Sequence, residues 1–78
     1  MSQVDDDHRA LVAQLIGQRR ALGLPQRTVA ERMGTTQSMV SDLEQCRHDV
    51  TLGTLLRYAR AVGARIEVEL EEVADAAG

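Results

Sequence analysis

A short stretch near the middle of the chain, RMGTTQSMVSDLEQ (residues 32–45), places polar side chains directly after a glycine. Thr36, Gln37 and Ser38 carry hydroxyl and amide groups that both donate and accept hydrogen bonds. Solvated loops collect the same residue types, so the stretch alone is also consistent with an exposed loop that binds nothing. The elements around it decide between a loop and a binding surface.

Cys46 and His48 are the other candidates for chemistry. They lie two residues apart, and no second cluster offers metal ligands at a useful spacing. A Cys–His nucleophile pair also needs an orienting group and a pocket, for which a chain of 78 residues has little room. We therefore expect no enzyme activity, no metal site and no cofactor.

The composition is that of a single small folded domain, with 44% hydrophobic and 27% charged residues. The one cysteine excludes an intramolecular disulfide and fits a reducing compartment. No apolar run is long enough to span a bilayer, and no signal-peptide pattern opens the chain. We expect a cytoplasmic protein with no membrane partner.

The charges are distributed unevenly along the chain. A net charge of −3 argues at first against a nucleic-acid partner. However, the acidic residues cluster in 5–7 and 67–75, whereas the segment from Arg9 to Gly63 contains eight arginines and four acidic residues. Arginine pairs well with phosphate or carboxylate because its guanidinium is planar. A merely solvated helical surface is the alternative explanation.

Apolar spacing and capping signals predict four helices, at about residues 6–22, 25–33, 37–45 and 51–63. Thr36 and Thr51 are typical N-caps for the third and fourth helices. Gly23 and Gly34 are typical left-handed stops after the first and second. The expected apolar stripes are Leu11, Val12, Leu15, Ile16 and Leu22 in the first helix, and Leu52, Leu55, Leu56, Ala59 and Val62 in the fourth.

The segment ARIEVELEE changes to a period of two, with Ile66, Val68 and Leu70 alternating with charged residues. This pattern predicts a strand with one apolar face. A lone strand cannot satisfy its own backbone groups, so the same strand of a second copy is the simplest partner. We expect a homodimer with a helical domain at 1–63, a dimerisation strand at 64–72 and a flexible tail at 73–78.

The residues around the polar stretch fit the spacing of a helix-turn-helix. Counting from Gln26, the small Ala30 is fifth, the turn residue Gly34 ninth, and the aliphatic Val40 and Leu43 fifteenth and eighteenth. Gly34 adopts a positive φ without steric cost, and residues three apart share a helix face. Residues 16–63 thus resemble the phage Cro and repressor family, also called the Xre family.

The resemblance implies an all-α repressor-like bundle of four to five helices, with the C-terminal strand added, whose third helix enters the DNA major groove. It assigns DNA contacts to Gln26, Arg27, Thr36, Gln37, Ser38, Ser41, Asp42 and Arg47. In this assignment Gln26 binds a DNA phosphate and Arg47 contacts the DNA backbone. The Gln37 amide can bridge adenine N6 and N7. Arg19 and Glu44 correspond to a pair that joins the first helix to the end of the third.

Three positions depart from the family pattern. Asp42 stands where a basic residue or glutamine is usual, so it repels phosphate, accepts from cytosine N4 or pairs with a neighbouring arginine. Pro25 replaces the usual Ser or Thr cap, which predicts a less firmly capped second helix. Cys46 stands where glycine is typical, which predicts strain in the turn.

Three functions of different classes follow. The first is a sequence-specific transcriptional repressor that binds a palindromic operator as a homodimer. The second is an antitoxin that binds DNA in the same way and also neutralises a toxin protein, because HipB-like antitoxins of this family carry a similar added strand. The third is an interaction module that does not use DNA, which the basic middle of the chain disfavours. Only a neighbouring toxin gene or a co-purifying protein separates the first two.

Overall fold

The computed structural model describes residues 3–74, and within this range the chain folds into four helices. They are α1 (Gln3–Ala21), α2 (Gln26–Met33), α3 (Gln37–Glu44) and α4 (Leu52–Ala61). The helical bundle with a helix-turn-helix at α2 and α3 confirms the predicted all-α repressor-like bundle, but not the C-terminal strand that was predicted with it. In the described part of the chain, no helix has both the length and the apolar character needed to cross a membrane.

The first helix forms where the sequence favours both of its ends. Asp5 and Asp6 lie in its first turn and Arg19 and Arg20 in its last, which matches the polarity of the helix dipole. Gly23 then takes a φ of 68°, a left-handed conformation that ends the helix at low cost.

The core lies where α2 packs on α3 and α4 and where α1 packs on α3. Each helix contributes aliphatic side chains to it, as their helical spacing predicts. Tyr58 on α4 is the one aromatic residue of the chain and is fully buried. The buried residues are Val12, Leu15, Val29, Ala30, Val40, Leu43, Leu55, Tyr58, Ala59, Ala61 and Val62.

Three leucines that the apolar stripes predicted to be buried are exposed. Leu22 is 53% exposed, Leu52 51% and Leu56 41%, so the prediction was wrong at these positions. The buried face of α4 is centred on Leu55 and Tyr58 instead. Leu52 and Leu56 lie beside that face, where no other element of the described chain covers them fully.

The predicted C-terminal strand is not formed in the single chain. Residues 64–70 have no regular secondary structure, and no strand occurs anywhere between residues 3 and 74. The physical reason is that a strand needs a neighbour for its backbone hydrogen bonds, and this segment has none. Ile66 is half-buried against the core, whereas Val68 is 72% and Leu70 98% exposed. Residues 75–78 of the predicted tail lie outside the described residues.

The C-terminal end of α4 is held by side chains from two other helices. Gln18 of α1 donates from Nε2 to the carbonyl oxygen of Val62 at 3.1 Å. Arg32 of α2 donates from Nη1 to the carbonyl oxygen of Ala61 at 2.8 Å. Carbonyls at a helix end have no partner within the helix, so these bonds satisfy two of them and tie α1 and α2 to α4.

Candidate nucleic-acid interface

The turn between α2 and α3 is closed by backbone hydrogen bonds. Gly34 has φ 69° and ψ 34°, the left-handed conformation that the sequence predicted for it. The amide of Thr35 donates to the carbonyl oxygen of Ala30 at 2.9 Å, and the amide of Gly34 donates to the carbonyl oxygen of Glu31 at 3.2 Å. These bonds satisfy the last carbonyls of α2 and fix the direction in which α3 leaves the turn.

The third helix is fixed at its start by a cap and along its length by two anchors. The Thr36 hydroxyl accepts a hydrogen bond from the amide of Met39 at 3.2 Å, as expected of an N-cap. Val40 is 1% and Leu43 5% exposed, so one face of α3 is packed in the core. Because the Thr36 hydroxyl only accepts in this bond, its own proton is available to an acceptor outside the chain.

The N-terminal end of α3 presents polar side chains with no internal partner. Gln37 and Ser38 are both exposed. Within residues 3–74, neither side chain makes a hydrogen bond. The amide of Gln37 and the hydroxyl of Ser38 therefore keep all their donors and acceptors for a ligand.

The other half of α3 carries a local chain of polar contacts. Gln45 donates from Nε2 to the Ser41 hydroxyl at 2.9 Å and accepts from Arg47 Nε at 2.8 Å. The same Arg47 nitrogen lies 3.9 Å from Oδ1 of Asp42, with the two side chains 60% and 40% exposed. Such an exposed and long ion pair is weak, so Arg47 can turn towards a phosphate at little cost.

Cys46 follows α3 with a φ of 55°. Among the described residues it is the only one other than glycine with a positive φ. A side chain in this conformation contacts the backbone unfavourably, so the prediction of strain in this turn is confirmed.

The start of α2 carries two of the predicted DNA-contacting residues. Pro25 makes no side-chain cap, as predicted, and its carbonyl accepts from the amides of Thr28 and Val29. Arg27 is exposed, and its side chain makes no hydrogen bond or ion pair within residues 3–74. Gln26 is half-buried and donates from Nε2 to Oε1 of Glu44 at 3.0 Å, so its amide is held from within the protein.

Glu44, at the end of α3, is the centre of a largely buried polar cluster, in which the side chains of Arg19 and Glu44 are 11% and 7% exposed. Arg19 binds it through two hydrogen bonds, Nε to Oε2 at 2.7 Å and Nη2 to Oε1 at 3.0 Å. The Tyr58 hydroxyl donates to Oε2 at 2.5 Å. Together with Gln26, these contacts join all four helices of the described chain, and the predicted Arg19–Glu44 pair is confirmed.

The cluster fixes the charge of Glu44. Burial raises the pKa of this carboxyl, but the hydrogen bonds from Arg19, Tyr58 and Gln26 outweigh burial and hold it below its ordinary value. The bond to Glu44 in turn raises the pKa of Arg19. Burial, followed by the neighbouring carboxylate, raises the pKa of Tyr58. At neutral pH the cluster is therefore an ionised pair with a neutral phenol.

The sequence did not predict that Gln26 and Tyr58 bind Glu44. These residues lie 18 and 14 positions from Glu44, so no helical spacing relates them. One signal was present: a tyrosine in the core needs an acceptor for its hydroxyl, and Glu44 directly follows Leu43, a residue predicted to anchor α3.

The predicted DNA-contacting residues occupy the first turn of α2, the length of α3 and the loop that follows it. Gln37, Ser38 and Arg27 point to solvent with unused polar groups, whereas Ser41, Arg47 and Gln26 are already engaged within the protein. No group of three or more His, Cys, Asp or Glu residues lies close enough to hold a metal in the described part of the chain.

The capped α2, the glycine turn and the anchored α3 define a helix-turn-helix protein. The chain belongs to the helix-turn-helix domain family, whose model matches residues 10–73. It is 46% identical over 66 residues to the protein named Antitoxin HigA1 of Mycobacterium tuberculosis, both in strain CDC 1551 / Oshkosh and in strain ATCC 25618 / H37Rv. This similarity confirms the resemblance to antitoxin-like members of the Xre group.

The alignment covers 85% of this chain and 44% of each relative. The chain thus spans less than half the length of the curated relatives that it matches. No solved structure gave a significant match.

Proposed function

We propose that this chain is a sequence-specific transcriptional repressor that binds a palindromic DNA operator as a homodimer. In this proposal α3 lies in the major groove and its N-terminal end contacts bases. Arg27 and Arg47 contact phosphates on either side and set the position of the helix.

The observation that carries the proposal is that Gln37 is exposed and its side-chain amide makes no hydrogen bond within residues 3–74. This residue stands at the exposed N-terminal end of a helix that Thr36 caps and that Val40 and Leu43 hold against the core. Its amide has no partner within residues 3–74 and offers a donor and an acceptor side by side, the arrangement that recognises adenine. A rigid helix with such a group at its open end is suited to reading sequence.

A selection from a random DNA library with the purified protein tests this function. We expect an enriched palindrome with half-sites about 34 Å apart, one turn of DNA. The double variant Gln37→Ala with Ser38→Ala keeps the fold and serves as the matched control, and it should enrich a degenerate sequence or none. If the unaltered protein enriches no sequence, the chain is an interaction module and the proposal fails.

The dimer in this proposal forms through Ile66, Val68 and Leu70, by pairing of residues 64–72 with the same segment of a second copy. Support comes from the two exposed apolar side chains of this segment, Val68 and Leu70, which water disfavours. Replacing both by Asp should shift sedimentation towards the monomer. Val4, which is 74% exposed on α1, provides the control substitution Val4→Asp, which should leave the dimer unchanged.

An antitoxin that also regulates its own operon is the second candidate function. The 46% identity to a protein named Antitoxin HigA1 favours it. The test is to express the chain with the protein encoded beside its gene and to purify the chain through an affinity tag. Co-purification, together with rescue of growth when the neighbour alone is toxic, would support the antitoxin. If the neighbouring protein neither co-purifies nor is neutralised, the repressor remains the proposed function.

A further inference from the structure

Three arginines form a basic surface outside the DNA-contacting residues. Arg32 of α2 and Arg57 and Arg60 of α4, here called the arginine patch, line a depression of about 280 Å³. Met33 and Ala61 also line it. All three arginines are exposed, so their guanidinium groups border a partly apolar hollow between the two helices.

Between residues 3 and 74, no acidic side chain forms an ion pair with the arginine patch. The ion pairs between residues 3 and 74 join Arg19 to Glu44, Arg47 to Asp42 and Arg65 to Glu67, and none involves the patch. Arg32 bonds a backbone carbonyl, and the side chains of Arg57 and Arg60 make no hydrogen bond within this range. Three neighbouring cations that form no ion pair repel one another, so an anionic partner would be favoured.

The chain itself carries a matching anionic segment. Glu67, Glu69, Glu71 and Glu72, here called the acidic segment, are all exposed, and only Glu67 has an ion pair, with Arg65. The residues between them, Val68 and Leu70, are exposed and apolar. In an extended conformation Glu67, Glu69 and Glu71 lie on the face opposite to Val68 and Leu70, so the acidic segment presents a row of carboxylates on one face.

We infer that the acidic segment of one copy binds the arginine patch of a second copy, an inference that rests on the proposed homodimer. Carboxylates of Glu69 and Glu71 pair with Arg57 and Arg60 of the second copy, whereas Val68 and Leu70 lie on the opposite face of the strand and stay in the proposed strand-paired contact. In a twofold dimer this contact occurs twice. The contact fixes where each acidic segment lies on the helices of the other copy, which strand pairing alone does not do.

A contact within one chain does not explain these features. Glu67 lies only seven positions after Arg60, and α4 ends at Ala61, so the acidic segment follows α4 closely. The amide of Ala64 donates to Ala59 at 2.9 Å and Ile66 packs against the core, so the start of the segment is fixed. From this start no glutamate of the segment bonds an arginine of the patch.

DNA is the less suitable partner for the arginine patch. Arg32 and Arg60 lie in the last turns of α2 and α4, whereas the proposed phosphate contact Arg27 lies in the first turn of α2. The floor of Met33 and Ala61 also offers nothing to a phosphate, but it can pack against the methylene groups of a glutamate side chain. The apolar component favours a polypeptide.

Charge reversal on both sides tests the inference in the full chain. The first variant carries Arg57→Glu and Arg60→Glu, the second Glu69→Arg and Glu71→Arg, and the third carries all four changes. Arg32 is left in place because it also holds the end of α4. The dimer dissociation constant is measured by sedimentation equilibrium at low salt, and folding of each variant is checked by circular dichroism.

Each double variant should weaken the dimer about tenfold, because paired charges become like charges at two symmetric contacts. The fourfold variant should recover most of this loss, because the pairs form again with their signs exchanged. The control, Arg9→Glu with Arg20→Glu, changes the net charge as Arg57→Glu with Arg60→Glu does, but on exposed positions of α1, and should leave the constant unchanged.

Three results would overturn the inference. The dimer could remain unchanged in both double variants, or the fourfold variant could fail to recover it. Alternatively, Arg57→Glu with Arg60→Glu could leave the dimer intact yet weaken binding to a scrambled duplex, which would assign the patch to DNA phosphates. Val68→Asp with Leu70→Asp separates this failure from that of the proposed dimer: if that variant remains dimeric, the dimer proposal itself is wrong.

Discussion

The two ends of α3 use their polar side chains in opposite ways. At the N-terminal end, Gln37 and Ser38 are exposed and make no side-chain hydrogen bond within residues 3–74. At the C-terminal end, Glu44 accepts hydrogen bonds from Arg19, Gln26 and Tyr58. A helix of 8 residues therefore carries two different polar sites. The hydrogen-bonded group around Glu44 is here called the closed cluster, and the exposed side chains of Gln37 and Ser38 the open end.

This difference shows how stability and recognition are divided within one helix. Removing a partner from the closed cluster leaves largely buried polar groups without a hydrogen bond, which lowers the stability of the fold. Removing an exposed side chain costs the fold little, because water already satisfies it. Changes at Glu44 should therefore alter folding, and changes at Gln37 should alter binding only.

The largest effect is expected for Glu44→Ala. It leaves the buried Arg19 guanidinium without its counter-charge, so the free energy of unfolding should fall by about 3–5 kcal/mol. Urea unfolding followed by circular dichroism measures it. The matched control is Glu67→Ala, since Glu67 pairs with Arg65 on the surface, where the side chains are 81% and 84% exposed. If both variants lose the same amount, the closed cluster does not stabilise the fold.

The same cluster predicts a pH dependence. The pKa of Glu44 is lower in the folded chain than its ordinary value of 4.5. Its contribution to stability is thus complete above pH 4.5 and is lost as the pH falls through the lower, folded pKa. The difference in unfolding free energy between the unaltered chain and Glu44→Gln should be constant near neutral pH and narrow in acid. A difference that grows in acid would contradict the lowered pKa.

The open end of α3 is tested by Gln37→Ala. Binding to the selected operator should weaken by about 1–3 kcal/mol, with little change on a scrambled duplex, because a base contact is lost. Arg47→Ala is the comparison, and it should weaken binding to both duplexes and flatten the dependence on salt, because a phosphate contact is lost. Titrations at two salt concentrations distinguish them. Equal losses on both duplexes for Gln37→Ala would mean that the glutamine only positions the helix.

Asp42 lies between the two ends, and its substitution should have a smaller effect. Asp42→Asn removes a carboxylate that faces Arg47 across 3.9 Å and lies near the proposed phosphate contacts. Binding should tighten by at most about 1 kcal/mol, equally for all DNA sequences, because Arg47 is released and repulsion is lost. Titrations against a series of operator variants provide the measurement. A preference relaxed at a single base pair would instead show that Asp42 reads cytosine.

The smallest effect is expected at Cys46, just beyond the closed end. Cys46→Gly removes the strain of a φ of 55° but also gives up a side chain packed against the core and loosens the unfolded chain. The free energy of unfolding should therefore rise by less than about 1 kcal/mol. Thermal unfolding of the variant measures the change. A clear loss of stability would show that packing of the thiol outweighs the backbone strain.

The sequence predicted the local features of this fold well. Helix bounds follow from signals that act over a few residues, such as the caps at Thr36 and Thr51 and the stop at Gly34, and the structure confirms each of them. The exposed position of Gln37 at a capped helix start follows in the same way.

Apart from the Arg19–Glu44 pair, which the family resemblance implied, features that depend on a distant neighbour could not be predicted. Leu52 and Leu56 have the spacing of a buried stripe, but which side of α4 is covered depends on how α2 packs on it. The closure of the cluster around Glu44 likewise depends on the approach of Tyr58 from another helix. The alternation at Ile66, Val68 and Leu70 is real, yet a strand requires a partner that a single chain does not contain.

The two bonds that hold the end of α4 have a consequence for how the domain opens. The carbonyls of Ala61 and Val62 are bound by Arg32 and Gln18, so the last turn of α4 cannot unwind alone without breaking contacts to α2 and α1. Helix ends ordinarily fray, and their amides exchange with solvent in small local fluctuations. Here the amides of the last turn of α4 should exchange only when the whole bundle unfolds. The helical bundle should therefore open as one cooperative unit, so proteolytic cleavage within α4 should require unfolding of the whole bundle.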